Sequence, residues 1–70
     1  MNKTYSYKIP LKHDVIHSDE FNTIEECVDA CKAKCEELGV DYNDDRVKLF
    51  FTEDFGESYV ECTEEGEIAG

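Results

Sequence analysis

"NTIEECVDACKAKCEELG", residues 22–39, is the stretch on which the fold turns. It holds three of the chain's four cysteines, at 27, 31 and 35. That spacing admits a metal site, a disulfide framework, a reactive thiol or a buried helix face. Helix signals bracket the stretch. Thr23 with Glu26 fits a capping box, and Asn22 is a second candidate cap. Gly39 fits the left-handed position after the last turn, and Val40 is placed to complete a Schellman motif. No Gly or Pro interrupts, so a helix over 23–38 is predicted. At ~100° per residue, Cys27, Leu38, Cys31, Ile24, Cys35 and Val28 fall in one arc about 100° wide, the width of a core-facing stripe. Interleaved with Ile, Val and Leu, the cysteines read as small buried hydrophobes.

The other readings of the cysteines are weaker. Residues eight apart on a helix lie about 12 Å apart along its axis, so Cys27 and Cys35 cannot share one zinc. The chain has no Cys-x-x-Cys knuckle. Cys62 with His13 or His17 would have to complete any site, and both histidines read as loop residues. Successive helical cysteines run alongside each other, a poor geometry for a bridge. A disulfide is therefore expected only from Cys62, if at all. Glu25, Glu26 and Asp29 surround Cys27, and acids disfavour a thiolate. No metal, cofactor or catalytic residue is expected.

Outward from the helix, "KTYSYKI" places Tyr5, Tyr7 and Ile9 on one face and Thr4, Ser6 and Lys8 on the other. That alternation predicts a strand over 3–9, closed by Pro10. Residues 10–22 read as a connection, in which Val15 and Ile16 either form a short strand or anchor a loop. Beyond the helix, Val47, Leu49 and Phe51 alternate with Lys48 and Phe50 in a strand over 46–52. "EDFG" supplies a turn with Gly available for positive φ. A strand over 57–63 follows, with Val60 and Cys62 on one face and Tyr59 and Glu61 on the other. Residues 64–70 are an acidic tail, either a turn with a weak last strand or a frayed end. At 70 residues there is room for one core. The expected architecture is α+β in β-α-β-β order, one amphipathic helix packed on a three- to four-stranded, mainly antiparallel sheet.

Charge narrows the function. Eighteen acidic residues face seven basic ones, for a net charge of -11. All the acids lie from Asp14 onward, whereas Lys3, Lys8 and Lys12 precede it. Such acidity repels nucleic acid and anionic membranes and favours basic partners. The opening residues lack the apolar run of a signal peptide, and no stretch approaches the ~20 apolar residues of a membrane span. A cytoplasmic protein with reduced thiols is expected. "DYNDD" starts like a calcium loop at Asp41, Asn43 and Asp45. Arg46 and Thr52 then stand where such a loop needs Gly and Glu. With no sheltered cleft, triad, phosphate loop or dinucleotide fingerprint, the chain is expected to be non-enzymatic.

On the wheel Glu25, Glu26, Asp29, Glu36 and Glu37 fall opposite the apolar stripe, between about 160° and 280°. Glu36 and Glu37 oppose the helix macrodipole, and Glu25 repels Asp29. Helix stability does not call for such an array, whereas solubility or a basic partner does. In size, charge and layout the chain resembles small acidic phage proteins that block host defence nucleases, although no motif assigns it to a family. The resemblance implies an inhibitor that mimics nucleic acid against a CRISPR effector or similar basic surface. Its expected contacts are Glu25, Glu26, Asp29, Glu36, Glu37, Asp41, Asp44 and Asp45. The alternative is a small bacterial accessory domain whose acidity serves solubility. It would bind a protein, or a second copy of itself, through the sheet face away from the helix at Lys48, Phe50, Tyr59 and Glu61. A cross-strand aromatic pair that only steadies the hairpin accounts for the same residues.

Overall fold

A computed structural model of the chain describes residues 3–69. The elements are β1 (Thr4–Pro10), β2 (Val15–His17), α1 (Ile24–Leu38), β3 (Lys48–Thr52) and β4 (Val60–Cys62). The four strands form one antiparallel sheet in the order β2-β1-β3-β4. The helix covers one face of it. Tyr7, Ile9, Leu49, Phe51 and Cys62 from the sheet meet Ile24, Cys27, Val28, Cys31 and Cys35 from α1 in a single core. The class is α+β, as the pattern of periodicities predicts.

The helix is bounded by its own chemistry. Thr23 is the N-cap, with its hydroxyl oxygen accepting the Glu26 N–H at 3.2 Å and its hydroxyl donating to the Glu26 carboxylate. In this variant of the capping box the glutamate reaches the threonine side chain instead of its backbone. At the other end Gly39 has φ 72°, and two N–H groups close the last turn: Gly39 to the Glu36 carbonyl at 3.2 Å, Val40 to the Cys35 carbonyl at 2.8 Å. That is the Schellman pair, which satisfies carbonyls a helix end leaves open. All four cysteines are free and buried, with Cys27 and Cys31 at 0% exposure.

The region expected as a connection over 10–22 contains a strand. The Leu11 N–H donates to the Asp14 carbonyl at 2.7 Å, and the Asp14 carboxylate accepts the Val15 N–H. This turn sends the chain back along β1, pairing Ile9 with Ile16. The return continues past β2. Ser18 accepts the Tyr7 N–H on its hydroxyl, and Phe21 exchanges two backbone hydrogen bonds with Tyr5. Ser18 donates its own N–H to the Tyr7 carbonyl at 3.1 Å, but its hydroxyl takes the place of its carbonyl as acceptor, so the segment is not a regular strand, and its sequence shows no clean period of two.

Of the other strands, β1 is shifted by one residue, and β3 and β4 are shorter than expected. β1 starts at Thr4 and ends on Pro10, whose missing N–H is tolerated in the last strand position. β3 begins at Lys48 instead of 46, because Asp44–Val47 is held as a turn by the Val47 N–H on the Asp44 carbonyl. β4 begins at Val60 instead of 57, because Ser58 is tied back to the Asp54 carboxylate. The acidic tail turns at Gly66, φ 81°, and returns beside β4, with Ile68 bridged to Cys62 and the Ala69 N–H on the Glu61 carbonyl. The tail expectation over 64–70 also includes Gly70, which lies outside the described residues.

Candidate functional site

Burial of one helix face presents the other. Glu25, Glu26, Asp29, Glu36 and Glu37 are all exposed along α1. Glu26 is engaged in the N-cap, and Glu37 pairs with Lys34 at 3.2 Å. Among the described residues Glu25, Asp29 and Glu36 have no ion-pair partner. Five carboxylates over twelve residue steps span ~18 Å of helix axis, a mean spacing of ~4.5 Å against the ~3.4 Å of one nucleic acid strand.

The loop after the helix divides its acids differently. Asp41 accepts the Asn43 N–H at 2.9 Å, and Asp45 is exposed. Asp44 grips Arg46 with both oxygens, at 3.1 Å to Nε and 3.0 Å to Nη2, and also accepts the Arg46 N–H. These bonds hold the Asp44 carboxyl down at about 2. Asp44 therefore contributes a neutralised pair, and the loop's open charge comes from Asp41 and Asp45.

The cations are largely committed elsewhere. Lys34, Arg46 and Lys48 form the three ion pairs among the described residues, so three of the eighteen carboxylates are paired. Lys3, Lys8 and Lys32 lie over the rings of Phe51, Phe50 and Tyr42, at 4.2, 5.8 and 5.3 Å from the centroids. A lysine over an aromatic face is attracted by the ring quadrupole. The negative field is left largely uncompensated.

The sheet face away from α1 is different in character. Phe50 and Glu61 are register partners there, with Lys48 reaching Glu61 at 3.7 Å. Beside them is a depression of about 310 Å³, lined among others by Ser6, Lys8, His17, Ser18, Phe50 and Tyr59. No carboxylate lines it. Tyr59 stands in the loop before β4, 49% exposed, and its hydroxyl lies over Gly56. Lys48, Phe50, Tyr59 and Glu61 are thus brought together. His17 and Ser18 were not legible as part of this surface, because their placement depends on the chain returning along β1, whereas Ser6 and Lys8 join it through β1 pairing with β3, which sets Ser6 opposite Phe50.

The thiols offer no nucleophile. Burial pushes Cys27 and Cys31 up to about 12, with neighbouring thiols adding to it, and raises Cys35 and Cys62 as well. A thiol so placed carries almost no thiolate at neutral pH. Among the described residues no three His, Cys, Asp or Glu side chains gather as a metal-binding group. No described helix is long and apolar enough to cross a membrane. Compared with known proteins, the chain matches no family model, no curated protein and no solved structure.

Proposed function

We propose that this chain is a non-enzymatic acidic inhibitor, encoded by a phage or mobile element and active in the cytoplasm of a bacterial host. It lays the carboxylates of α1 into the nucleic-acid-binding groove of a defence complex such as a CRISPR effector. One observation carries this reading: a rigid, doubly capped helix presents Glu25, Asp29 and Glu36 to solvent without ion-pair partners among the described residues. Exposed Asp41 and Asp45 extend the charge past the helix end. A Lys/Arg channel that releases counterions to phosphates would release them to such an array. The test is displacement of a labelled oligonucleotide from a purified CRISPR effector by wild type and by the triple variant Glu25→Lys, Asp29→Lys, Glu36→Lys. Displacement by wild type and its loss in the folded variant are expected. Equal displacement by the two would overturn the reading.

A second reading is favoured by the depression around Phe50 and Tyr59. There the chain acts as an accessory protein-interaction domain through the open sheet face, with acidity serving solubility. Salt separates the two. Docking by the acidic face weakens steeply as ionic strength rises, whereas an aromatic contact does not.

A further inference from the structure

Phe55 is 98% exposed, the most solvent-open large hydrophobe among the described residues. It is also the one described non-glycine residue at positive φ, 59°. Gly56 beside it has φ 89°, and the Glu57 N–H donates to the Asp54 carbonyl. Positive φ at both central positions is the type I′ pattern, for which Asn-Gly is the favoured pair and an aromatic first residue is not. The ring gains no packing in return for this backbone conformation. The turn is nonetheless held firmly. Thr52, 2% exposed, accepts the Gly56 N–H at 3.0 Å and donates to Asp54, which in turn accepts both the N–H and the hydroxyl of Ser58. A rigid support therefore displays an aromatic side chain against local backbone preference, with exposed Glu53 and Glu57 on either side.

The complement of this knob lies on the same molecule. The depression of about 310 Å³ has aromatic walls, Phe50 and Tyr59, and a basic rim, Lys8 and His17. Tyr59 joins the two features, since it lines the depression and its hydroxyl lies over Gly56. We propose that the chain self-associates as a two-fold dimer in which the Phe55 turn of each copy enters the Lys8/His17/Phe50/Tyr59 depression of the other. Glu53 and Glu57 then meet Lys8 and His17, so shape and charge agree in one orientation. A patch that carries both knob and hole is self-complementary, as a two-fold interface requires. The depression lies on the sheet face opposite α1, so both acidic helices stay exposed in the dimer. The proposal therefore stands apart from the inhibitor reading and can fail without it.

Sedimentation equilibrium of the wild-type chain, over a micromolar to millimolar series at ~0.15 M ionic strength, where surface charge is screened beyond ~8 Å, tests the idea. Monomer–dimer association is expected. Phe55→Asn should raise the dissociation constant by about tenfold or more, as loss of a central aromatic anchor does. At dilutions where both proteins are monomeric, the same variant should keep or raise the Tm, because Asn-Gly suits the turn and no dimer adds to the wild-type value. Lys8→Glu should also weaken the homodimer. Mixed with Phe55→Asn, it should associate more tightly than either variant alone, since the mixture restores one intact knob and hole. A wild-type chain that stays monomeric, a Phe55→Asn dimer of unchanged strength, a lowered monomer Tm for that variant, or no gain on mixing would each overturn the proposal.

Discussion

At the residue scale, the β3–β4 loop shows how a few polar atoms fix a conformation. Asp54 accepts from the Ser58 N–H, the Ser58 hydroxyl and the Thr52 hydroxyl. These donors favour the charged form and hold its carboxyl down at about 2 in the folded chain. An unfolded aspartate titrates near ~3.9. The sign follows directly. The unfolded state takes up the proton first as pH falls, so the contribution is fully present above about pH 5 and is lost as pH falls from about 4 to about 2. Acid titration of stability, followed by circular dichroism in urea, checks this. Asp54→Asn should be less stable than wild type at neutral pH and should lose less on acidification through that window. Parallel acid limbs for the two proteins would refute the role given to Asp54. The sequence offered the acid and the glycine of this turn. It did not show that Thr52 would be its buried hub, because Thr52 stands one residue short of the turn and reads simply as a strand end.

At the scale of the element, α1 is the most legible part of the chain. Its apolar arc, both caps and the outward acids follow from a 3.6-residue period and a few terminal residues. The cysteine stripe predicts slow chemistry. With Cys27 and Cys31 wholly buried and pushed up to about 12, a thiol reagent has neither access nor thiolate. Native protein at pH 8 should react with an aromatic disulfide reagent far more slowly than a free thiol, with all four cysteines released in denaturant. Rapid native reaction of the helical three would mean that the stripe is not packed against the sheet. The strands were less legible. Their ends are set by turns at Asp44 and Asp54, where side-chain carboxylates compete with the ladder for backbone N–H groups.

Over the whole molecule, the balance of charge weighs on folding as well as on binding. A net charge of -11 on so small a chain repels itself, and the three ion pairs offset little of it. Salt screens that repulsion in the folded state more than in the expanded one. The Tm should therefore rise between ~0.01 M and ~0.5 M sodium chloride, as the Debye length falls from about 30 Å toward a few ångströms. A flat or falling Tm in thermal melts would show that the carboxylates are stabilised locally. The Lys-for-acid triple variant bears on the same point, since removing helix acids should raise the low-salt Tm while it removes displacement of the oligonucleotide.

The sequence by itself determined the α+β class, the helix and its caps, the burial of its cysteine stripe and the outward position of its acids. These depend on the local period and on residues a turn or two apart, which one chain displays directly. Only the tertiary structure decided that the connection holds β2, that Arg46 neutralises Asp44, and that Lys8 and His17 rim a depression beside Phe50 and Tyr59. It alone showed Phe55 held outward at positive φ. Each of these rests on a hydrogen bond or a strand pairing whose partner is chosen among many equivalent polar groups. In a chain with eighteen carboxylates, composition cannot make that choice, and packing does.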